Sequence, residues 1–287
     1  MEYIHLSETL RVSRFIQGLM RLPSWNFNKY DLLYQIEKLS SLGITTYDNA
    51  SIYGSEISFG EAIYLKPSIR QKLQIITKSG LRLETQYPDT SKEYLIKSVE
   101  KSLINLKTDY IDLLLIQQPD PFINPFEVSE AFNYLLKSGK VLNFGVANYP
   151  PSSFNLLQKF VKEPLVTNQI ELSLLNLKNF VNGTLELCQE YEIPPMIWGV
   201  LDGGKIFTSS DEALLNICDK LEEIGSRYNI NTLETIIYAF FLSHPANLIP
   251  IIGTSKINRV TNALKALEIK LTRKEWFEIY YTVKGYI

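Results

Sequence analysis

Asp48, Tyr53 and Lys78 are side chains whose types and placement could move a proton. The first two lie in Tyr47-Asp48-Asn49-Ala50-Ser51-Ile52-Tyr53-Gly54-Ser55-Glu56. That stretch follows a β-like run, Gly43-Ile44-Thr45-Thr46-Tyr47, and precedes a short helical pattern that begins near Ser58. Lys78 follows another β-like run, Leu73-Gln74-Ile75-Ile76-Thr77. Polar groups at the C-terminal ends of strands are where α/β enzymes keep their chemistry. A free tyrosine has a pKa of about 10, too high for ready proton donation at neutral pH. A nearby ammonium stabilises the phenolate and lowers that value, and Asp48 would hold the ammonium in place and keep it charged. Together the three would form a general acid for an alkoxide. Taken alone, a lysine just past a strand is an ordinary surface lysine. The case for Lys78 rests on the elements that must position it.

Strand-like and helix-like segments alternate along the chain. The strands are expected at Phe15–Leu19, up to Asp48, Leu73–Thr77, Ile111–Ile116, Val141–Val146, Val166–Gln169, Met196–Trp198 and Leu248–Ile252. Between them, helical periodicity marks Asp31–Leu42, with Leu32, Ile36, Leu39 and Leu42 on one face and Gly43 as its stop. Thr90 and Glu93 form a capping-box pattern opening a helix to Leu106. Further helices are expected over Pro125–Lys137, Pro151–Phe160, Thr184–Tyr191, Glu212–Tyr228, Leu233–Leu242 (opened by Asn231 and Glu234) and Arg259–Leu267. Thr272 and Glu275 cap a last helix. The fourth strand is apolar on both faces, as in a buried parallel sheet. Eight strands, each followed by helix, predict an α/β chain folded as a (β/α)8 TIM barrel. With no linker, low-complexity tract or repeat, residues 1–287 read as a single domain.

Composition narrows the function. The chain has 287 residues, 45% of them hydrophobic, enough for one large core. The net charge is −2 and the basic residues are dispersed, which argues against nucleic acid as a partner. Cys188 and Cys218 provide neither a disulfide framework nor metal-ligand spacing. His5 and His244 are the only histidines, so a histidine metal site or a Ser-His triad is not expected. The N-terminus lacks a signal-peptide pattern. The longest apolar run, 236–242, is too short to span a bilayer. The expected setting is cytoplasmic, with no membrane partner.

The Asp48-to-Glu56 stretch resembles the signature of the aldo-keto reductase family, roughly Asp-Thr-Ala, two residues, Tyr-Gly and then Glu. In that resemblance Asp48, Tyr53 and Lys78 take the family's Asp, Tyr and Lys roles. The fourth family residue is usually a histidine in His-Arg-Pro-Asp-Pro, whereas this chain reads Gln117-Gln118-Pro119-Asp120-Pro121. Gln117 can donate a hydrogen bond to a substrate carbonyl but cannot change protonation state. Such donors are often replaceable at a cost of about 10²–10³ in rate.

Other runs resemble the family in order. Gly145-Val146-Ala147-Asn148-Tyr149 is similar to its Gly-Val-Ser-Asn-Phe, which implies that Asn148 bonds the nicotinamide carboxamide. Ala147 lacks the serine hydroxyl. Thr167-Asn168-Gln169-Ile170-Glu171 supplies Gln169 as the second amide partner, and Trp198 stands where the family stacks an aromatic ring on the nicotinamide. Alone, Asn148 and Gln169 would read as loop-capping groups and Trp198 as core. The resemblance also puts Gly199, Val200, Leu201, Gly203 and Gly204 against the cofactor pyrophosphate, with Val200 replacing a common proline. Thr254, Ser255, Lys256, Arg259 and Asn262 fall at the adenosine 2′-phosphate site. Backbone N–H groups at a helix start, with cations nearby, suit a phosphate. Lys256 and Arg259 therefore favour NADP(H) over NAD. Met20, beside Gly18, should border the nicotinamide together with Asp48. Trp25 and the loops 23–28 and 82–89 should wall the substrate pocket. Neither a P-loop nor a Gly-x-Gly-x-x-Gly fingerprint is present.

The resemblance implies an NADPH-dependent oxidoreductase that reduces a small-molecule aldehyde or ketone, with Tyr53 as general acid. The missing histidine leaves two other readings. One is an NADP(H)-binding sensor or regulatory protein with little turnover, against which the retained Asp48, Tyr53 and Lys78 argue. The other is a reductase of enone double bonds. Oligomeric state is not legible.

Overall fold

The computed structural model describes residues 2–85, 87–208 and 211–285. Eight parallel strands close into a barrel: β3 (Ile16–Gly18), β4 (Thr46–Asp48), β5 (Gln74–Ser79), β6 (Leu113–Ile116), β7 (Phe144–Ala147), β8 (Leu165–Glu171), β9 (Met196–Trp198) and β10 (Ile249–Ile252). They pair in chain order, and β10 returns to β3. The strands and helices thus form the expected (β/α)8 barrel. The helices are α1 (Lys29–Ser41), α2 (Glu56–Tyr64), α3 (Lys92–Leu106), α4 (Pro125–Lys137), α5 (Pro151–Phe160), α6 (Thr184–Glu190), α7 (Glu212–Arg227), α8 (Leu233–Leu242), α9 (Ile257–Lys265) and α10 (Arg273–Lys284).

Two apolar layers hold this arrangement. One lies between strands and helices, with Ile75, Leu114, Val146 and Ile170 facing Leu95, Val99, Phe132 and Phe154. The other fills the barrel with Ile16, Ile76, Leu113, Leu115, Val166, Met196, Ile249 and Ile251. Strand alternation makes these opposite faces of the same segments. A hairpin absent from the sequence reading, β1 (Tyr3–His5) with β2 (Arg11–Ser13), closes the N-terminal end of the barrel. Its Leu6, Leu10 and Val12 join the interior layer. Three-residue strands carry little periodicity, which is why the hairpin was not foreseen.

Several boundaries move for local reasons. Helix α1 starts at Lys29, not Asp31, because Asn28 caps it and Asp31 completes the reciprocal box. The Thr90–Glu93 box does not form: Thr90 Oγ1 donates to Asp120 Oδ2 at 2.7 Å, so a tertiary partner takes the capping hydroxyl. Helix α8 is entered through Thr232 rather than Asn231, and Glu234 accepts from Asn262 Nδ2 at 3.1 Å. Helix α9 begins two residues early, at Ile257. The Thr272–Glu275 box does form.

Helices α2 and α3 meet at Gly60. A Cβ there would lie 2.1 Å from the Asn105 carbonyl oxygen, so the two backbones leave no room for a side chain. Gly60→Ala should therefore cost about 1–3 kcal/mol or more, because backbone rather than a flexible side chain must move. Chemical denaturation measures this, and an unchanged midpoint would show that the two helices can separate at no cost.

Candidate active site

Residue parity puts a polar layer at the C-terminal mouth of the barrel. Ile76 and Leu115 face the interior, so Lys78 and Gln117, each two residues further on, face it too. Asp48 pairs with Ile76 across β4 and β5, and Gln169 pairs with Met196 across β8 and β9. Trp198, two residues after Met196, reaches the same mouth. Lys78 lies within β5, not past its end as the sequence reading had it, because the pairing with β6 continues through Ser79. That continuation buries the lysine.

Lys78 is 1% exposed and Asp48 4%. Lys78 Nζ donates to Asp48 Oδ1 at 2.6 Å and to the Asn49 carbonyl at 2.9 Å. A buried ammonium needs such partners, since desolvation without them costs several kcal/mol. The same Asp48 oxygen accepts from Gln169 Nε2 at 2.9 Å. Ser55 Oγ donates to Asn49 Oδ1 at 2.9 Å and braces the turn that carries the carbonyl.

Tyr53 lies in the helical turn after β4, with Lys78 Nζ 5.0 Å from its ring centroid. The expected lowering of its pKa is not what the geometry yields. Burial of the phenol raises the pKa above 10, the Lys78 charge opposes that, and Asp48 adds to the rise. The Lys78 and Gln117 donors near the phenol also pull it down, without reversing the direction. The reason is burial: the desolvation cost of a phenolate outweighs the pull of the ammonium, which Asp48 further offsets. Tyr53 therefore stays protonated well above neutrality. It remains able to donate to an alkoxide, which is far more basic than a phenolate.

Gln117 thus lies beside Tyr53, its backbone N–H donating to the Ser79 carbonyl at 2.7 Å. Its Oε1 is buried with no partner.

The other predicted residues gather around this mouth. Asn148 takes a left-handed φ of 59°, which asparagine tolerates, and its N–H donates to the Gln169 carbonyl at 2.8 Å. Trp198 Nε1 donates to Asn148 Oδ1 at 3.1 Å. Met20 is 57% exposed. After β9, Gly199, Gly203 and Gly204 all have positive φ, and Val200 is buried beneath them. Leu201 accepts from the Gly204 N–H at 2.7 Å. A cavity of about 580 Å³ opens beside this loop, bounded by Glu171, Asn176, Asp202 and Lys205. Lys256 and Arg259 are exposed at the start of α9, and the Lys256 N–H donates to Thr254 Oγ1 at 3.2 Å. Asn262 follows Arg259 by three residues on α9, and its amide donates to Glu234 and accepts from Lys265.

Two residues that the sequence reading missed shape this end. Gln17 Nε2 donates to the Ile252 carbonyl at 3.0 Å and the Thr254 carbonyl at 3.3 Å. Gln35 Nε2 donates to the Ser255 carbonyl at 3.1 Å. These contacts fix the backbone that leads into α9. An amide inside the otherwise apolar run Phe15-Ile16-Gln17-Gly18-Leu19 was the available signal. Trp25 packs edge-on against Phe27 with centroids 5.8 Å apart. In the 82–89 loop Arg82 pairs with Asp89 at 2.6 Å; Gln86 lies outside the described residues. Among the described residues, no cluster of His, Cys, Asp and Glu could hold a metal ion, and no helix is long and apolar enough to cross a membrane.

Residues 14–281 match the profile of the aldo/keto reductase family. The chain is 43% identical to the uncharacterized oxidoreductase YcsN of Bacillus subtilis, covering 100% of this chain and 99% of that protein. It is 36% identical to a 6-dehydroglucose reductase of Agrobacterium fabrum, covering 99% of each. Its fold superposes on the thermostable aldo-keto reductase Tm1743, solved with the inhibitor epalrestat, with a TM-score of 0.83, 25% identity and coverage of 98% and 100%.

Proposed function

This chain belongs to the aldo/keto reductase family, and from that premise we propose that it is an NADPH-dependent reductase of aldehydes or ketones. The observation that carries the reading is the buried Asp48–Lys78 pair set against Tyr53 at the barrel mouth. A protein that only bound the cofactor would have no use for a buried ion pair beside a protonated phenol.

The residues present fit the cofactor. Lys256 and Arg259, exposed at the start of α9, would make a donor set for the 2′-phosphate. The positive-φ glycines 199, 203 and 204 let backbone approach the pyrophosphate. Asn148, the Gln169 oxygen, the Trp198 ring and Met20 would hold the nicotinamide. When bound, NADPH supplies the hydride. The chain's own residues do the rest. Tyr53 donates its proton to the substrate oxygen, Lys78 steadies the phenolate left behind, and Asp48 holds Lys78. The Gln117 amide orients the carbonyl in place of the family's histidine. The domain is read as one unit over 1–287, and the setting as cytoplasmic.

The 6-dehydroglucose reductase among the relatives makes sugar aldehydes sensible first substrates. The test is NADPH consumption by purified protein with 6-dehydroglucose, simple aldehydes, ketones and enones. Turnover on carbonyls supports the proposal. Tight NADPH binding with no turnover on any of them would favour the sensor reading, and a preference for enones would favour double-bond reduction.

Cofactor choice gives a separate prediction. A charge-assisted hydrogen bond is worth about 1.5–3 kcal/mol, roughly 10- to 100-fold in affinity. Arg259→Ala should weaken NADPH binding by about that factor and leave NADH within about twofold. Equal loss for both cofactors, measured by fluorescence titration, would remove Arg259 from the phosphate site.

A further inference from the structure

Strands β4 and β8 stand opposite each other in the barrel, four positions apart around the closed sheet. Only a long side chain can bridge them. Gln169, 3% exposed, does so: its Nε2 meets Asp48 Oδ1 at 2.9 Å, the same oxygen that Lys78 Nζ reaches at 2.6 Å. We propose that Gln169 is a positioning residue for the proton donor, holding Asp48 from across the barrel so that Lys78 stays beside Tyr53. The inference rests on the reading of Asp48, Lys78 and Tyr53 as the proton-donating group.

The geometry explains why an amide serves here. Asp48 is buried and ionised against Lys78, so any further contact to its oxygen must come from a donor. A neutral amide donates without adding charge, and its rigid plane leaves Oε1 for a ligand. A second cation would compete with Lys78, and a carboxylate would repel Asp48 whenever both were ionised. The charged and titratable groups on the surrounding elements are Lys78 on β5, Tyr53 after β4, and Glu171, which follows Gln169 on the same face of β8.

Gln169→Glu and Gln169→Leu give the test. In the Glu variant the protonated acid donates to Asp48 as the amide did, whereas the ionised form sets two carboxylates together. One proton is then shared by the pair, whose titration lies above the ordinary carboxylate value. The folded pair holds that proton more tightly than the unfolded chain does. Its contribution is therefore complete below the unfolded value of about 4.3 and is lost as pH rises through the folded value.

Relative to wild type, Gln169→Glu should be nearly as stable at pH 4–5 and progressively less stable toward pH 8, read by urea denaturation. This readout needs no turnover, so it stands even where no carbonyl substrate reacts. At saturating NADPH, its turnover relative to wild type should fall by about tenfold or more over the same interval, the size of a lost hydrogen bond to a charged group. Gln169→Leu also loses the oxygen proposed to hold the carboxamide, so it should bind NADPH more weakly, and at saturating NADPH it should still be slow at every pH. A pH-independent stability difference overturns the contact. A pH-dependent stability difference with parallel activity profiles, or Gln169→Leu turnover at the wild-type rate once NADPH saturates, overturns the positioning role. Wild-type inactivity toward all carbonyls with the stability signature present would instead refute the proposed reaction.

Discussion

Tyr53→Phe should lower NADPH-dependent carbonyl reduction by about 10²–10⁴-fold, the range for removal of a positioned general acid. NADPH affinity should barely change, because the phenol faces the substrate oxygen in this account. The loss belongs to kcat rather than to substrate binding, since the proton is needed only where negative charge develops on oxygen. The direction of the Tyr53 shift fixes the pH behaviour. Its burial keeps the phenol protonated beyond pH 10, so wild-type reduction should hold through neutral and mildly alkaline pH before the donor is lost. A Phe variant within tenfold of wild type would mean that water or Gln117 delivers the proton.

Lys78→Met should damage both activity and stability. The pair it breaks is buried, with side-chain exposures of 1% and 6%. Removing one partner leaves Asp48 ionised without compensation, which costs about 3–5 kcal/mol. The Asn49 carbonyl also loses its donor. Adding Asp48→Asn removes the stranded charge. The double variant should therefore recover most of the lost stability in urea denaturation while reduction stays undetectable or at least about 10²-fold down. If Lys78→Met alone unfolds at the wild-type midpoint, the pair contributes nothing net to the fold.

The barrel was legible because each core strand carries its burial pattern in a few residues. Within the expected strand Ile111–Ile116, Leu113–Ile116 is buried throughout and forms β6 between β5 and β7. Parity then sets Lys78 and Gln117 at the mouth. What could not be read was anything decided by a distant partner. Thr90 looks like a helix cap until Asp120 takes its hydroxyl. The contacts of Asn262 with Glu234 and Lys265 were likewise not legible. Gln17 and Gln35 act on carbonyls 235 and 220 residues away. The direction of the Tyr53 shift was set by burial, which the sequence does not show, against an ammonium that it does.

The central claim is that hydride passes from the nicotinamide to a carbonyl carbon while Tyr53 supplies the proton. The direct measurement is reduction of an aldehyde with NADPH carrying deuterium at the transferred position, followed by NMR of the product. The account predicts one deuterium on the carbinol carbon and none elsewhere, with the hydroxyl proton drawn from solvent through Tyr53. Deuterium on a carbon β to the carbonyl of an enone, with the carbonyl intact, would contradict it. So would bound NADPH that releases no deuterium to any carbonyl compound.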